Sequence, residues 1–154
     1  MIFGYNFFGT GIEAIFAGIF AAFLAQVVKF VGHLIFKRKL DFTILSTTGG
    51  MPSSHTAGVV SLATSCGLIA GFDSLYFAIA AGLSIVVMYD AAGVRRAAGK
   101  TAATLNKLVK DLVEHSNIEP YATLKELLGH TPLEVFCGAL FGIVISISIH
   151  ILGL

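Results

Sequence analysis

Charge is scarce in this chain. Only 12% of its 154 residues are Asp, Glu, Lys or Arg, where a soluble domain carries about 25%. There is no long acidic or basic run, and the formal net charge is +1. A nucleic-acid partner wants a concentrated basic surface, so that class is excluded. Cysteine is scarce too. Cys66 and Cys137 both fall inside apolar segments and lack the spacing of a metal-ligand set. They read as small buried hydrophobes, which excludes a disulfide framework and calls for no metal or other cofactor. The first residues, Met1 to Tyr5, lack a basic stretch. A cleaved signal peptide is therefore not expected, and the first apolar segment should remain in the protein.

Apolar sequence is abundant instead: 56% of the residues, with a mean hydropathy of +0.87. A membrane helix needs about 20 apolar residues, and four segments meet or approach that length. They run over about 9–36, 55–70, 75–89 and 132–152. The break Gly71-Phe72-Asp73-Ser74 separates the second from the third. The expected fold is all-α and polytopic, with residues 1–154 forming a single integral membrane domain. All ten basic residues fall at or just after the end of the first segment, after the third, or just before the fourth. With four spans, these places share one membrane face, which the positive-inside rule assigns to the cytoplasm. The expected location is the cell (inner) membrane.

Residues 91–129 are too many for a featureless loop. Leu105, Leu108, Val109, Leu112 and Val113 form one apolar stripe at helical spacing, which predicts an amphipathic helix lying in the interface or capping the bundle. Ser116 to Pro120 should end it, and a short second helix is expected over about 121–128. Small residues recur at every fourth position in Ala14, Gly18 and Ala22, in Ala17, Ala21 and Ala25, and in Gly138 and Gly142. Such faces allow close helix contact in lipid, and a homodimer through them is one expectation.

The unusual polar residues come to one level. Lys29 lies near the end of the first segment. Ser53, Ser54 and His55, preceded by Gly49, Gly50 and Pro52, open the second. Asp90 closes the third, with Arg95 and Arg96 following, and His130 and Glu134 open the fourth. Ionisable groups at such depth are costly and usually functional. Each also has a plain structural role. Ser53 or Ser54 can cap a helix. Thr131-Pro132-Leu133-Glu134 has the form of a capping box with proline at the first helical position. Arg95 or Arg96 can anchor to lipid or pair with Asp90, and Lys29 can snorkel. Read together, two helix starts, three cations and two histidines suit an anion such as phosphate. One histidine attacks phosphorus and the other protonates the leaving oxygen. Glu134, four residues after His130, shares its helical face and can fix its tautomer. His33, His115 and His150 are taken as background.

Three stretches, Thr47 to Thr56, Met88 to Gly99 and Leu127 to Glu134, resemble in order the motifs of the divergent type-2 phosphatidic acid phosphatase family. These are small membrane proteins related to acid phosphatases and vanadium-dependent haloperoxidases. The resemblance covers nearly the whole chain and implies a phosphatidic-acid-phosphatase-like helical bundle. It implies Lys29 as the phosphate-binding lysine, Ser53 and the Ser54 backbone as further phosphate ligands, and His55 as the general acid. His130 takes the nucleophile's place and Glu134 that of the orienting carboxylate. The chain departs from the pattern at Ser54, where the wider superfamily has glycine, and at Glu134, where it has aspartate. Leu124 stands where an arginine is expected, six residues before His130. Arg95 or Arg96 is the candidate replacement.

The expected function is hydrolysis of a membrane lipid phosphate or pyrophosphate through a phosphohistidine. Two alternatives are a phosphate-lipid binding or regulatory protein without catalysis, and a small anion or lipid transporter.

Overall fold

A computed structural model describes residues 7–37, 50–115, 124 and 129–153. Among them the chain is helical: α1 (Gly11–Lys37), α2 (Ser54–Ala70), α3 (Leu75–Tyr89), a π-helical turn (Asp90–Val94), α4 (Arg95–His115) and α5 (Pro132–Gly153). This is a helical membrane protein. Three helical stretches are long and apolar enough to cross a bilayer, and α2, with 17 residues, is shorter. Apart from Leu124, the expected short helix over 121–128 lies outside the described residues, as do Gly49 and Lys125.

Serine caps set the starts of the middle helices. The Ser53 hydroxyl accepts from the Thr56 amide, and the Ser74 hydroxyl accepts from the Phe77 amide. Gly71 ends α2 at a φ of +94°, a conformation open to glycine and strained for other residues.

The bundle is organised around α2, which packs against α1, α5 and α3, while α1 and α5 also touch. Small residues bring the backbones together. A Cβ on Gly18 would sit 3.1 Å from the Gly58 carbonyl, one on Gly138 would sit 2.6 Å from that of Ser53, and one on Gly142 would sit 2.4 Å from that of Ala57. Ala17, Ala21 and Ala25 are fully buried. The small-residue faces considered for a dimer are thus used inside one chain. Serines tie the helices further: Ser61 Oγ donates to Ala17 O and Ser84 Oγ to Val59 O. The largest fully buried side chains are polar, namely Glu13, Thr56, Ser53, Ser61, Ser65 and Ser146, whereas large apolar side chains face outward. Hydrocarbon on the outside removes the drive to bury apolar bulk, so close packing and interhelical hydrogen bonds hold the interior.

Two features differ from the sequence expectation. The chain does not leave the helix after Tyr89: α3 continues through the π turn into α4 without a break from Leu75 to His115. Ala91, Ala92, Ala97 and Ala98 favour helix, and no proline interrupts them, so the onset of charge marks no helix end. His150 is also not background. Its Nδ1 lies 2.8 Å from Oε1 of the fully buried Glu13, whose Oε2 accepts from the Gly9 amide. The start of α1 is thereby tied to the end of α5.

Candidate functional site

The site forms at the end of the bundle opposite the Glu13–His150 pair. Helices α2 and α5 both begin there, and the Ser53 amide donates to the Glu134 carbonyl between them.

Three contacts hold His130. Its amide donates to the carbonyl of Ala91 inside the π turn. Gly129, at a φ of +92°, lies so close to the Arg95–Arg96 backbone that a Cβ would be 2.4 Å from the Arg96 nitrogen. Its Nδ1 lies 3.1 Å from Glu134 Oε2. That same carboxylate oxygen accepts from the Thr131 amide, while the Glu134 amide donates to Thr131 Oγ1. The capping box and the imidazole partnership therefore coexist, on one oxygen. A carboxylate only accepts, so Nδ1 carries the proton in the neutral ring and Nε2 presents a lone pair. That Nε2 is buried and has no hydrogen-bond partner. Burial holds the imidazole below its ordinary pKa, and the Lys29 and His55 charges push the same way. The hydrogen bond and charge of Glu134 oppose them.

Lys29 is 8% exposed, and its Nζ is buried without a partner. Gly50 makes room for its stem: at a φ of +93°, a Cβ there would be 3.3 Å from Lys29 Cδ. The charges of Lys29, Arg95 and Asp90 all act on the His55 ring, and Glu134 acts on both Lys29 and His130. Lys29, His55, Asp90, Arg95, His130 and Glu134 therefore share one neighbourhood.

The remaining residues sort by what they touch. Arg95 Nε lies 2.7 Å from Asp90 Oδ2, an ion pair spanning the π turn. Arg96 is exposed and is not among the charges acting on either imidazole. Of the two arginines, Arg95 is the one whose charge acts on an imidazole, that of His55. The Ser53 hydroxyl accepts from the amide and hydroxyl of Thr56, the capping role, and keeps its own proton to donate. Ser54 and Pro52 are buried beside it.

Sequence reasoning missed the Ala91 carbonyl, which has no signature because every residue has one. It also missed Asn106, whose side-chain amide makes two hydrogen bonds with the backbone of Leu124. A cavity of about 200 Å3 opens at the opposite end of the bundle, lined by Gly11, Ala14, Cys66 and Tyr76 among others, and contains none of these groups.

A protein-family comparison matches residues 11–145 to the divergent PAP2 family. The chain is 44% identical over 137 residues to a protein of Bacillus subtilis (strain 168) named uncharacterized membrane protein YuiD, covering 82% of this chain and 87% of that one. No solved structure matches it. Its order of motifs, its helical bundle and this match agree: the chain belongs to the divergent PAP2 family.

Proposed function

We propose that the protein hydrolyses a lipid phosphate or pyrophosphate through a phosphohistidine, with the site facing the cytoplasm. The observation that carries this reading is the pair of buried, partnerless atoms, Lys29 Nζ and His130 Nε2. Buried polar groups are nearly always satisfied, and an unsatisfied ionisable one is accounted for by a catalytic role or an ion that binds there. A cationic amine beside an imidazole lone pair suits a phosphoryl group. Family membership points the same way, and the basic residues on the site's face argue for the cytoplasmic side.

In this mechanism Nε2 of His130 attacks phosphorus as the bond to the leaving oxygen breaks. The leaving oxygen takes a proton from His55. Lys29, Arg95 and the amide groups at the starts of α2 and α5 stabilise the phosphoryl oxygens. Glu134 balances the positive charge of the phosphorylated imidazole. Water, losing a proton to His55, then attacks phosphorus and releases phosphate, restoring both histidines. A site at the end of membrane helices suits a substrate whose head enters while its tail stays in lipid.

The test is phosphate release from lipid phosphates and pyrophosphates by purified protein in lipid nanodiscs. His130→Ala and His55→Ala abolish it, and an acid-labile phosphoenzyme forms in wild type. A folded wild-type protein that turns over none of these substrates refutes the enzyme. The Arg95–Asp90 ion pair favours a second reading, a phosphate-lipid binding protein without catalysis, because it occupies the candidate replacement for the missing arginine. That reading predicts vanadate binding without turnover.

A further inference from the structure

The helix α4 leaves the bundle in an unusual way. It packs chiefly against the π turn at its start. Beyond that, Leu105, Leu108, Val109 and Leu112 are exposed at i, i+3, i+4 and i+7, one stripe along two turns. Arg96, Lys100, Lys107 and Lys110 are exposed on the rest of its surface, against the exposed acid Asp111. Another flank is engaged: Gly99 and Ala102 are buried, and Asn106 holds Leu124. An apolar stripe of this size needs a cover, and the surplus of basic groups identifies its chemistry.

We propose that α4 docks on the anionic bilayer surface at the site end of the bundle, with its leucine stripe in the acyl boundary and its lysines among acidic headgroups. The helix is the direct continuation of α3, so its first turn already lies at the membrane surface. Standing straight out, it would carry Leu112 about 25 Å past Arg95, into water. The π turn is where such a helix bends, and leaning there lays the stripe on lipid. The basic groups of the other face draw it down with up to about 1 kcal/mol per cation near an anionic surface.

Docking reaches the site because three tethers join this helix to the approach to His130. Ala91 accepts its amide, the Arg95–Arg96 backbone supports Gly129, and Asn106 grips Leu124. Asn106 is thus a positioning residue for His130. This second step rests on the proposed hydrolysis, whereas the docking does not.

The chain has no tryptophan, so single introduced tryptophans report cleanly. Leu108→Trp and Lys107→Trp place the probe on the stripe and on the basic face of protein reconstituted in phosphatidylcholine, with or without phosphatidylglycerol. In the anionic bilayer, brominated lipid quenches position 108 several-fold more than position 107, and acrylamide shows the reverse order. The contrast shrinks in the neutral bilayer. Equal acrylamide quenching at both positions overturns the docking. So does position 108 shielded from both quenchers, which means that protein, such as a second copy, covers it. A contrast independent of phosphatidylglycerol overturns the role of charge. Asn106→Ala keeps the quenching contrast and lowers kcat several-fold with KM unchanged. Unchanged kcat overturns the coupling and leaves the docking standing.

Discussion

Gly129→Ala separates the position of His130 from the stability of the bundle. A Cβ at residue 129 would lie 2.4 Å from Arg96 N and 2.8 Å from Arg95 C and Arg96 Cα. All three are backbone atoms of a continuous helix and cannot rotate away. Comfortable contact begins at about 3.5 Å, so the chain must part from the helix by about 1 Å. The φ of +92° adds a second strain, about 1–3 kcal/mol for a residue with a side chain. Moving the π turn would disturb both α3 and α4. Lifting residues 129 and 130 instead sacrifices one backbone hydrogen bond, His130 N to Ala91 O, at about 1 kcal/mol. The loop therefore yields first and carries the imidazole with it. A misplacement of about 1 Å at a reacting group costs about 100-fold in rate. The expected outcome is a drop in phosphate release of that order, with global stability lowered by only about 1–3 kcal/mol. Turnover in nanodiscs and thermal unfolding by circular dichroism, run on one preparation, give both numbers. Gly82→Ala, where nothing lies within 4 Å, is the control and should change neither. Wild-type turnover in Gly129→Ala refutes the reasoning, and so does a loss explained entirely by unfolding.

Four further outcomes are expected. Glu134→Gln keeps an acceptor for Nδ1 but loses the charge, worth about 1.5–3 kcal/mol, or about 10- to 150-fold in kcat. Because Glu134 opposes the burial that lowers the His130 pKa, and neutral His130 is the active form, the acid limb of kcat/KM should move to lower pH. An unmoved limb contradicts the pairing. Gly142→Ala would place a Cβ 2.4 Å from Ala57 O and 3.0 Å from Ser61 N, so thermal unfolding should show a loss of about 1–3 kcal/mol. Glu13→Ala strips the acceptor from His150 and from the Gly9 amide, two part-buried contacts whose loss should lower thermal stability by about 1–3 kcal/mol in all. Its turnover below the unfolding range should match wild type. Finally, the positive charges of the unpartnered Lys29 and of Arg95, which pairs with Asp90, are matched in number by the carboxylates of Glu134 and Asp90, so vanadate binding should take up protons. Titration calorimetry in buffers of different ionisation enthalpy reads this uptake, and buffer-independent heats count against it.

Local sequence signals carried much of this structure. Ser53 and Ser74 cap α2 and α3, and Thr131 and Glu134 form the expected box. The spacing of His130 and Glu134 translated directly into a contact of 3.1 Å. Three other features left no local mark. The π turn adds one residue to the helical phase without any compositional sign, so sequence could not choose between Arg95 and Arg96. The hold on His130 comes from a backbone carbonyl, and the hold on Leu124 from an asparagine 18 residues away. Glu13 and His150 stand 137 residues apart, and only the tertiary packing of α1 against α5 joins them.

The two ends of the bundle hold the same chemical pair put to different uses. At each end a carboxylate meets Nδ1 of an imidazole, at 3.1 Å for Glu134–His130 and 2.8 Å for Glu13–His150. What differs is everything around the pair. Both oxygens of Glu13 are engaged, one by His150 and one by the Gly9 amide, inside a packed interface. That arrangement closes a contact between two helices. Glu134 uses one oxygen for both cap and imidazole, and the second nitrogen of His130 is buried with nothing to bind. An unmatched lone pair shut off from water is costly. It persists in the field of an equally unmatched lysine, where a phosphoryl group would offer its oxygens to the amine and its phosphorus to the lone pair. In the proposed mechanism the reactive member of the two pairs is therefore set not by the imidazole–carboxylate bond, which both possess, but by the buried nitrogen left over.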